Sequence, residues 1–298
     1  MKVLSLGSLN IDYNYSLNHI MQSKETQAAL SMDEFPGGKG LNQSIAMAKA
    51  GLEVYHAGFI GGDGDMLLET LQTAGVDTRL VRKIDGRSGH AIIQVDNMGQ
   101  NAVMIYGGAN DQITPEYIDE VLECFDEHDV LVLQNEIANV AYAIERAYEK
   151  HMLIVLNPSP FNDHLKSCDL SKVSLFFINE VEGRQLTTYV QPGDILIRMR
   201  ELYPNSRCVL TLGHQGAFYQ DIHNTTYHPA IKTNAVDSTA AGDIFEGYFL
   251  AACLTSQDAV WALKTASYAA GISVSRRGAA LSAPTMEETL QAIEAQKK

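Results

Sequence analysis

The residues best suited to chemistry lie in Asp237-Ser238-Thr239-Ala240-Ala241-Gly242-Asp243-Ile244-Phe245-Glu246-Gly247, where small residues lead into an amphipathic run through Ile244, Phe245, Tyr248 and Phe249. Small side chains leave backbone amides open. At a helix start those amides and the aligned peptide dipoles form an anion site, suited to the charge on a phosphoryl group in transfer. Asp243, in the first turn, stands beside that site and can take a proton from an attacking hydroxyl. An acid favoured by the helix dipole accounts for Asp243 about as well, but Asp237 is too far upstream to cap the same turn.

A second cluster, Pro36-Gly37-Gly38-Lys39-Gly40-Leu41-Asn42-Gln43, also opens a helix, and its glycines permit close backbone approach to a ligand. It is not a Walker A loop, because Gly40 stands where that motif needs Ser or Thr after G-K. Neither cluster matches G-x-G-x-x-G, and Gly7-Ser8-Leu9-Asn10 has a single glycine. Read alone, Gly37 to Gly40 is more readily an ordinary loop-to-helix turn. Asn10 and Asp12 follow an apolar run and can hydrogen-bond sugar hydroxyls, although turn chemistry explains them nearly as well. Glu136 ends another run, where a solvated loop acid is the alternative. Asn179 precedes Glu180-Val181-Glu182 as a helix cap would. Thr211-Leu212-Gly213-His214-Gln215-Gly216 follows a strand, and a hairpin turn alone could require its glycines; His214 reads as a turn residue.

These residues need a frame, and the frame is legible. Short runs rich in Val, Ile, Leu and Phe recur at Val3 to Leu6, Val54 to Ile60, Val130 to Leu133, Leu153 to Leu156, Leu175 to Ile178 and Cys208 to Leu212. Each is followed by a helical stretch, the rhythm of a mainly parallel sheet covered by helices on both faces. Helices are expected at Asn42 to Ala50, stopped by Gly51, at Met66 to Ala74, stopped by Gly75, and at Pro115 to Phe125, capped by Thr114. Gly89 to Val95 and Ala102 to Tyr106 instead alternate around Asp96 to Asn101, as a β-hairpin does. With Tyr13 to Phe35 it suits a small sheet, a candidate lid. The expected division is a large α/β domain of residues 1–12, 36–87 and 107–298, with residues 13–35 and 88–106 as a β lid.

Composition narrows the function classes. Over 298 residues, 46% are hydrophobic and 19% charged, as in a globular protein. A formal net charge of −14 disfavours a nonspecific grip on nucleic acid, which needs clustered Lys and Arg. The apolar run after Lys2 is short for a signal segment, and nothing approaches the roughly 18 apolar residues of a membrane span. A cytoplasmic protein is expected. The four cysteines (Cys124, Cys168, Cys208, Cys253) form no C-x-x-C pair and read as reduced, mostly buried thiols; the nine histidines show no metal-binding spacing.

Taken together, the segments resemble the ribokinase-like (PfkB) carbohydrate kinase family nearly end to end. The motifs are G-S-L-N-I-D at Gly7 to Asp12, G-G-K-G-x-N-Q at Gly37 to Gln43, S-G-x-A at Ser88 to Ala91 and G-G-A-N at Gly107 to Asn110. They continue through Asn179 to Glu182, Thr211 to Gly213, D-S-T-A-A-G-D at Asp237 to Asp243 and Ser275 to Ala280. The resemblance implies an ATP-dependent sugar kinase in which Asp243 is the base and amides of Ala240, Ala241 and Gly242 surround the γ-phosphate. It implies sugar contacts from Asn10, Asp12, Gly38, Lys39, Asn42 and Glu136, and nucleotide contacts from Asn179, Thr211, Gly213 and Gly216, with Ser267 near the adenine. Glu182 would orient water on Mg²⁺. A monovalent-cation site, for K⁺, maps to Asp237, Thr239, Ser273, Arg276, Gly278 and Ser282, and the lid would form a homodimer contact. The chain departs from the family at Ser267, where Asn is usual, and at Ile244 and Glu246, where Thr and a smaller residue are common. Gly61-Gly62-Asp63-Gly64-Asp65-Met66 likewise departs from G-D-D-x-F-G. A nucleoside kinase of the same fold and a sugar- or nucleotide-binding regulator without turnover are the alternatives.

Overall fold

Parallel strands covered on both faces must be apolar on both faces, and β1 (Val3–Leu6) is buried along its whole length. Val3 points into one core and Leu4 and Leu6 into another, an alternation repeated by Val130 and Val132 against Leu131 and Leu133. In the computed structural model, which describes residues 1–256 and 258–296, the chain continues through β2 (Asn10–Ser16), β3 (Ser31–Gly37), α1 (Lys39–Lys49), β4 (Val54–Ile60), α2 (Asp65–Thr73), β5 (Asp77–Lys83), β6 (Gly89–Val95) and β7 (Asn101–Tyr106). Then follow α3 (Pro115–Leu122), β8 (Val130–Gln134), α4 (Val140–Glu149), β9 (Leu153–Asn157), β10 (Leu175–Asn179), α5 (Glu180–Thr187) and α6 (Pro192–Leu202). The last elements are β11 (Arg207–Thr211), β12 (Ala217–Gln220), β13 (Thr225–His228), α7 (Ala241–Ser256), α8 (Ala259–Val274) and α9 (Met286–Ala295).

Nine strands form the central sheet in the order β13-β12-β11-β10-β9-β8-β1-β4-β5. Every pairing from β11 to β5 is parallel, and the two pairings of β12, with β11 and with β13, are antiparallel at one edge. Helices α1, α2, α7 and α8 cover one face; α3, α4 and α6 cover the other. The expected α/β class is what the chain adopts.

A second sheet of four strands, β3-β2-β6-β7, stands apart. Its hairpin β6–β7 is the one expected from alternation, and the polar N-terminal segment supplies its other two strands. The strands reach further than expected, because β2 begins at Asn10 and β3 runs to Gly37. Asn10 and Asp12 therefore ride on the small sheet rather than on the large one. Helix α1 also begins earlier than its apolar pattern suggests, at Lys39. Thr114 caps α3 as expected, accepting from the Tyr117 amide at 3.3 Å. All four cysteines are free, but only Cys208 is fully buried and Cys124 is exposed, so the expectation of mostly buried thiols does not hold.

Candidate active site

Polar residues stand at or just past the ends of five neighbouring parallel strands of the large sheet. Beyond β1 lies Ser8, and β8, β9, β10 and β11 end at Gln134, Asn157, Asn179 and Thr211. Parallel strands bring their carboxyl ends to one edge, where open α/β sheets hold ligands. The first turns of α1 and α7 come to the same edge. They do so because two contacts tolerate no side chain. A Cβ at Gly40 would lie 2.4 Å from the Ser8 nitrogen, and one at Gly247 would lie 2.6 Å from the Ala46 Cβ.

The close approach of α7 to α1 joins residues 200 positions apart. Asn42 Nδ2 donates to Asp243 Oδ2 at 3.2 Å, and Gln43 Nε2 donates to Asp243 Oδ1 at 3.0 Å. Gln43 Nε2 also donates to Glu246 Oε2 at 3.1 Å, and Gln43 Oε1 accepts from Gln134 Nε2 at 2.5 Å. Asn157 Nδ2 reaches the same Glu246 oxygen at 3.0 Å. Asn42 Oδ1 and Glu246 Oε1 are buried without a partner. Burial holds the Glu246 carboxyl well above the usual carboxylate range, and the Asp243 charge adds to this.

Lys39 faces this group. The Asp243 carboxylate pushes its ammonium pKa up, against the opposing effect of burial, and Glu136, Glu182 and Glu246 add to the rise. Glu136 is no solvated loop acid. Its Oε2 accepts from the Lys39 amide at 2.9 Å and from the Ser8 hydroxyl, which caps the first turn of α1 with a negative charge where the dipole favours one. Burial raises the Glu136 pKa while the Lys39 charge opposes the rise. Asp12 stands across the cleft on the small sheet, its pKa raised to about 7 by burial and then by Glu136.

A cavity of about 170 Å³ opens beside Lys39 and Asp243, lined also by Asn157, Asn179, Glu182, Thr211, Ser238, Ala240, Ala241, Gly242 and Glu246. Ala240 holds the left-handed conformation at φ 59°, a costly state for a residue with a Cβ and one that concentrates at functional turns. The amide of Ala241 donates to the Ser238 carbonyl at 3.2 Å, so it is spent within the turn. Those of Ala240, Gly242 and Asp243 meet no protein acceptor among the described residues. Asn179 caps α5 in a full capping box, its side chain accepting from Val181 and Glu182 amides while the Glu182 carboxylate returns to the Asn179 amide at 2.8 Å.

Not every expected residue reaches the cavity. Of the expected sugar contacts only Lys39 lines it beside Asp243, whereas Asn10, Asp12, Gly38, Asn42 and Glu136 do not; nor do Gly213, Gly216 and Ser267, the Ser267 hydroxyl being turned onto the Leu263 carbonyl of its own helix at 2.8 Å. Behind the Ala240 turn the expected cation residues gather. Asp237 accepts from the Thr239 and Gly278 amides at 2.9 and 3.1 Å, and the Ser273 and Ser282 hydroxyls meet at 2.6 Å. The Arg276 side chain points elsewhere, to Glu288 at 2.9 Å. Sequence reasoning gave no role to Asn110, Gln134 or Asn157. Asn110 fixes the lid strand to the large domain, its Nδ2 donating to Asn10 Oδ1 at 2.7 Å and its Oδ1 accepting from the Leu9 amide at 3.1 Å. The signal for Gln134 and Asn157 was present, since both are amides closing an apolar strand.

A cavity at the carboxyl ends of a parallel sheet, with an acid in a helix first turn and a lysine opposite, describes a phosphotransferase for small molecules. A model of the pfkB family carbohydrate kinases matches residues 1–286, and the chain belongs to that family of ATP-dependent sugar kinases. It is 33% identical to a ribokinase of Staphylococcus aureus over 97% of this chain and 99% of that protein. It is 31% identical to a deoxyribokinase of Salmonella typhi over 97% of each. Among solved structures, the ribokinase of Cryptococcus neoformans in complex with ADP superposes with a TM-score of 0.85 at 29% identity, covering 98% of this chain and 99% of that one. No helix among the described residues is long and apolar enough to cross a membrane.

Proposed function

We propose that the chain transfers the γ-phosphate of ATP to a hydroxyl of ribose or deoxyribose, with Asp243 as general base. The observation that carries this reading is the Asp243 carboxylate, held on both oxygens by Asn42 and Gln43 at the mouth of the cavity. The sugar lies between the small and large sheets, against Asp12, Asn10, Lys39, Gly38 and Asn42, whose buried Oδ1 gains a hydroxyl partner. Glu136 supports this surface from behind by fixing the Lys39 backbone. Asp243 takes the hydroxyl proton, a contribution of roughly 10²–10⁴ in rate. The open amides of Ala240, Gly242 and Asp243 receive the charge on the transferring phosphoryl group.

No trio of His, Cys, Asp or Glu among the described residues could hold a metal alone, so Mg²⁺ would arrive on the nucleotide, with Glu182 in the cavity orienting its water. Mg²⁺ supplies charge neutralisation on the phosphate oxygens. Oxygens of the Asp237–Thr239 and Ser273–Ser282 loops would hold K⁺ behind the anion turn. Asn179 and Thr211 border the nucleotide side of the cavity. Two copies would pair through the lid, which exposes Phe35, Val103 and Ile105 on the face that carries Asp12, and Met104 and Tyr106 on the other. Sedimentation checks the pairing: Ile105→Glu yields monomers, and an unaltered dimer, or a monomeric wild type, refutes it.

The deciding experiment is coupled ADP release over pentoses, hexoses, deoxyribose and nucleosides, each with and without K⁺. Turnover on ribose or deoxyribose, raised by K⁺, is expected. Turnover on nucleosides alone redirects the acceptor, and sugar binding without turnover on any acceptor refutes the kinase reading.

A further inference from the structure

Glu246 stands one turn beyond Asp243 on α7, and its side chain is 1% exposed. A buried carboxyl in a helix is costly unless its oxygens are hydrogen-bonded. Here one oxygen takes two bonds, from Gln43 and Asn157, and the other takes none although it is buried at the cavity. The amide of Gln43 has two hydrogens, and the two carboxyl groups take one each. From behind, Gln134 donates to the Gln43 carbonyl, which fixes which end of the amide faces α7. Gln43 and Gln134 are fully buried, so no water competes for these bonds.

We propose that Glu246 is a positioning residue for Asp243, acting through the Gln43 amide that the two carboxyl groups share. The inference rests on the reading of Asp243 as the base. By accepting the second Gln43 hydrogen, Glu246 keeps the amide in the plane that presents the first to Asp243 Oδ1. The Asp243 carboxylate cannot then rotate away from the hydroxyl it must deprotonate. Burial favours a neutral Glu246, which leaves Asp243 to carry the negative charge on the shared amide. A purely structural Glu246, tying α7 to β9 through Asn157, makes different demands.

Glu246→Leu keeps the volume and removes the acceptor. Its kcat should fall roughly 10- to 100-fold, the scale of a misaimed catalytic group, while KM for sugar and ATP stays within about twofold. Glu246→Gln retains an acceptor oxygen and recovers most of the loss. In an Asp243→Ala background Glu246→Leu should cost nothing further, because there is no base left to aim. A loss that appears in KM, persists in Asp243→Ala, or is not recovered by Glu246→Gln overturns the proposal. Should Glu246→Leu fail to fold by circular dichroism, Gln43→Met removes the shared amide itself and must show the same kcat-selective, non-additive loss. An unchanged kcat in Asp243→Ala would instead remove the base reading, whatever Glu246 does.

Discussion

Gly247 sits one turn from the reacting groups and touches no ligand, yet the structure gives it a large effect. A Cβ there would lie 2.6 Å from the Ala46 Cβ, 2.9 Å from the Met47 nitrogen and 3.0 Å from the Ala46 carbonyl carbon. Carbon atoms rest comfortably about 3.5–4.0 Å apart, so α7 must back off from α1 by about 1 Å to admit a methyl group. Two of the struck atoms belong to the α1 backbone and cannot turn aside. The bonds from Asn42 and Gln43 to Asp243, now 3.2 and 3.0 Å, then stretch beyond hydrogen-bonding range. Gly247→Ala should therefore lose about 1–3 kcal/mol from overpacking, a Tm lower by roughly 2–10 °C. Its kcat should fall about 10²-fold, the cost of misplacing a reacting group by about 1 Å. The opposing effect is the gain of about 0.5–1 kcal/mol that alanine brings to a helix interior, and it is too small to win. Calorimetry and steady-state kinetics decide between them. A Tm that rises, with kcat unchanged, would show that the α1–α7 contact does not set the site.

Asp12, with its pKa near 7, should make sugar affinity depend on pH: KM for ribose rises as pH falls below about 7, and Asp12→Asn flattens the profile. A flat wild-type KM between about pH 6 and 8 would deny it the role of an ionised acceptor. Glu246 makes a statement about stability. Its folded pKa is raised above the ordinary 4.5, so the native state keeps a proton that the unfolded chain loses. Stability then declines as pH climbs from 4.5 toward the folded value. Glu246→Gln lacks that slope, and its Tm advantage over the wild type should widen with rising pH; a constant gap would show that Glu246 is ionised in the fold. Asn110→Ala leaves Asn10 Oδ1 and the Leu9 amide without their partner, so sugar KM should rise several-fold while KM for ATP holds, by kinetics with each substrate varied.

Much of the frame was legible because burial on two faces leaves little freedom in composition. Val130 to Leu133 or Leu175 to Ile178 can hardly be anything but central strands, and each was expected where it occurs. The apolar pattern places the start of α1 three residues late, because Gly38 and Gly40 are poor helix formers and the sequence does not show that Glu136 caps the turn from 97 positions away. The pattern leaves the lid strands short for a similar reason. Asn10 and Asp12 look like turn residues until they are paired with Gly37 and Phe35. Within the site, the motifs marked Asp243, Asn42 and Lys39, but not who holds whom. Gln43 read as one letter of a motif, and its place between Gln134, Asp243 and Glu246 depends on three elements meeting. Glu246 registered only as a departure from a smaller residue, whereas the fold turns it into a buried partner of the acid beside it.

The central claim is that Asp243 takes the proton of the accepting hydroxyl. Asp243→Asn keeps the size and removes the charge, and it is best measured as kcat by ADP release together with sugar affinity by calorimetric titration. The structure predicts that kcat falls by roughly 10²–10⁴ while the sugar dissociation constant changes by less than about threefold. A kcat within about threefold of wild type, on a sugar the wild type phosphorylates, would contradict the assignment and send the search for the base to another group in the cavity.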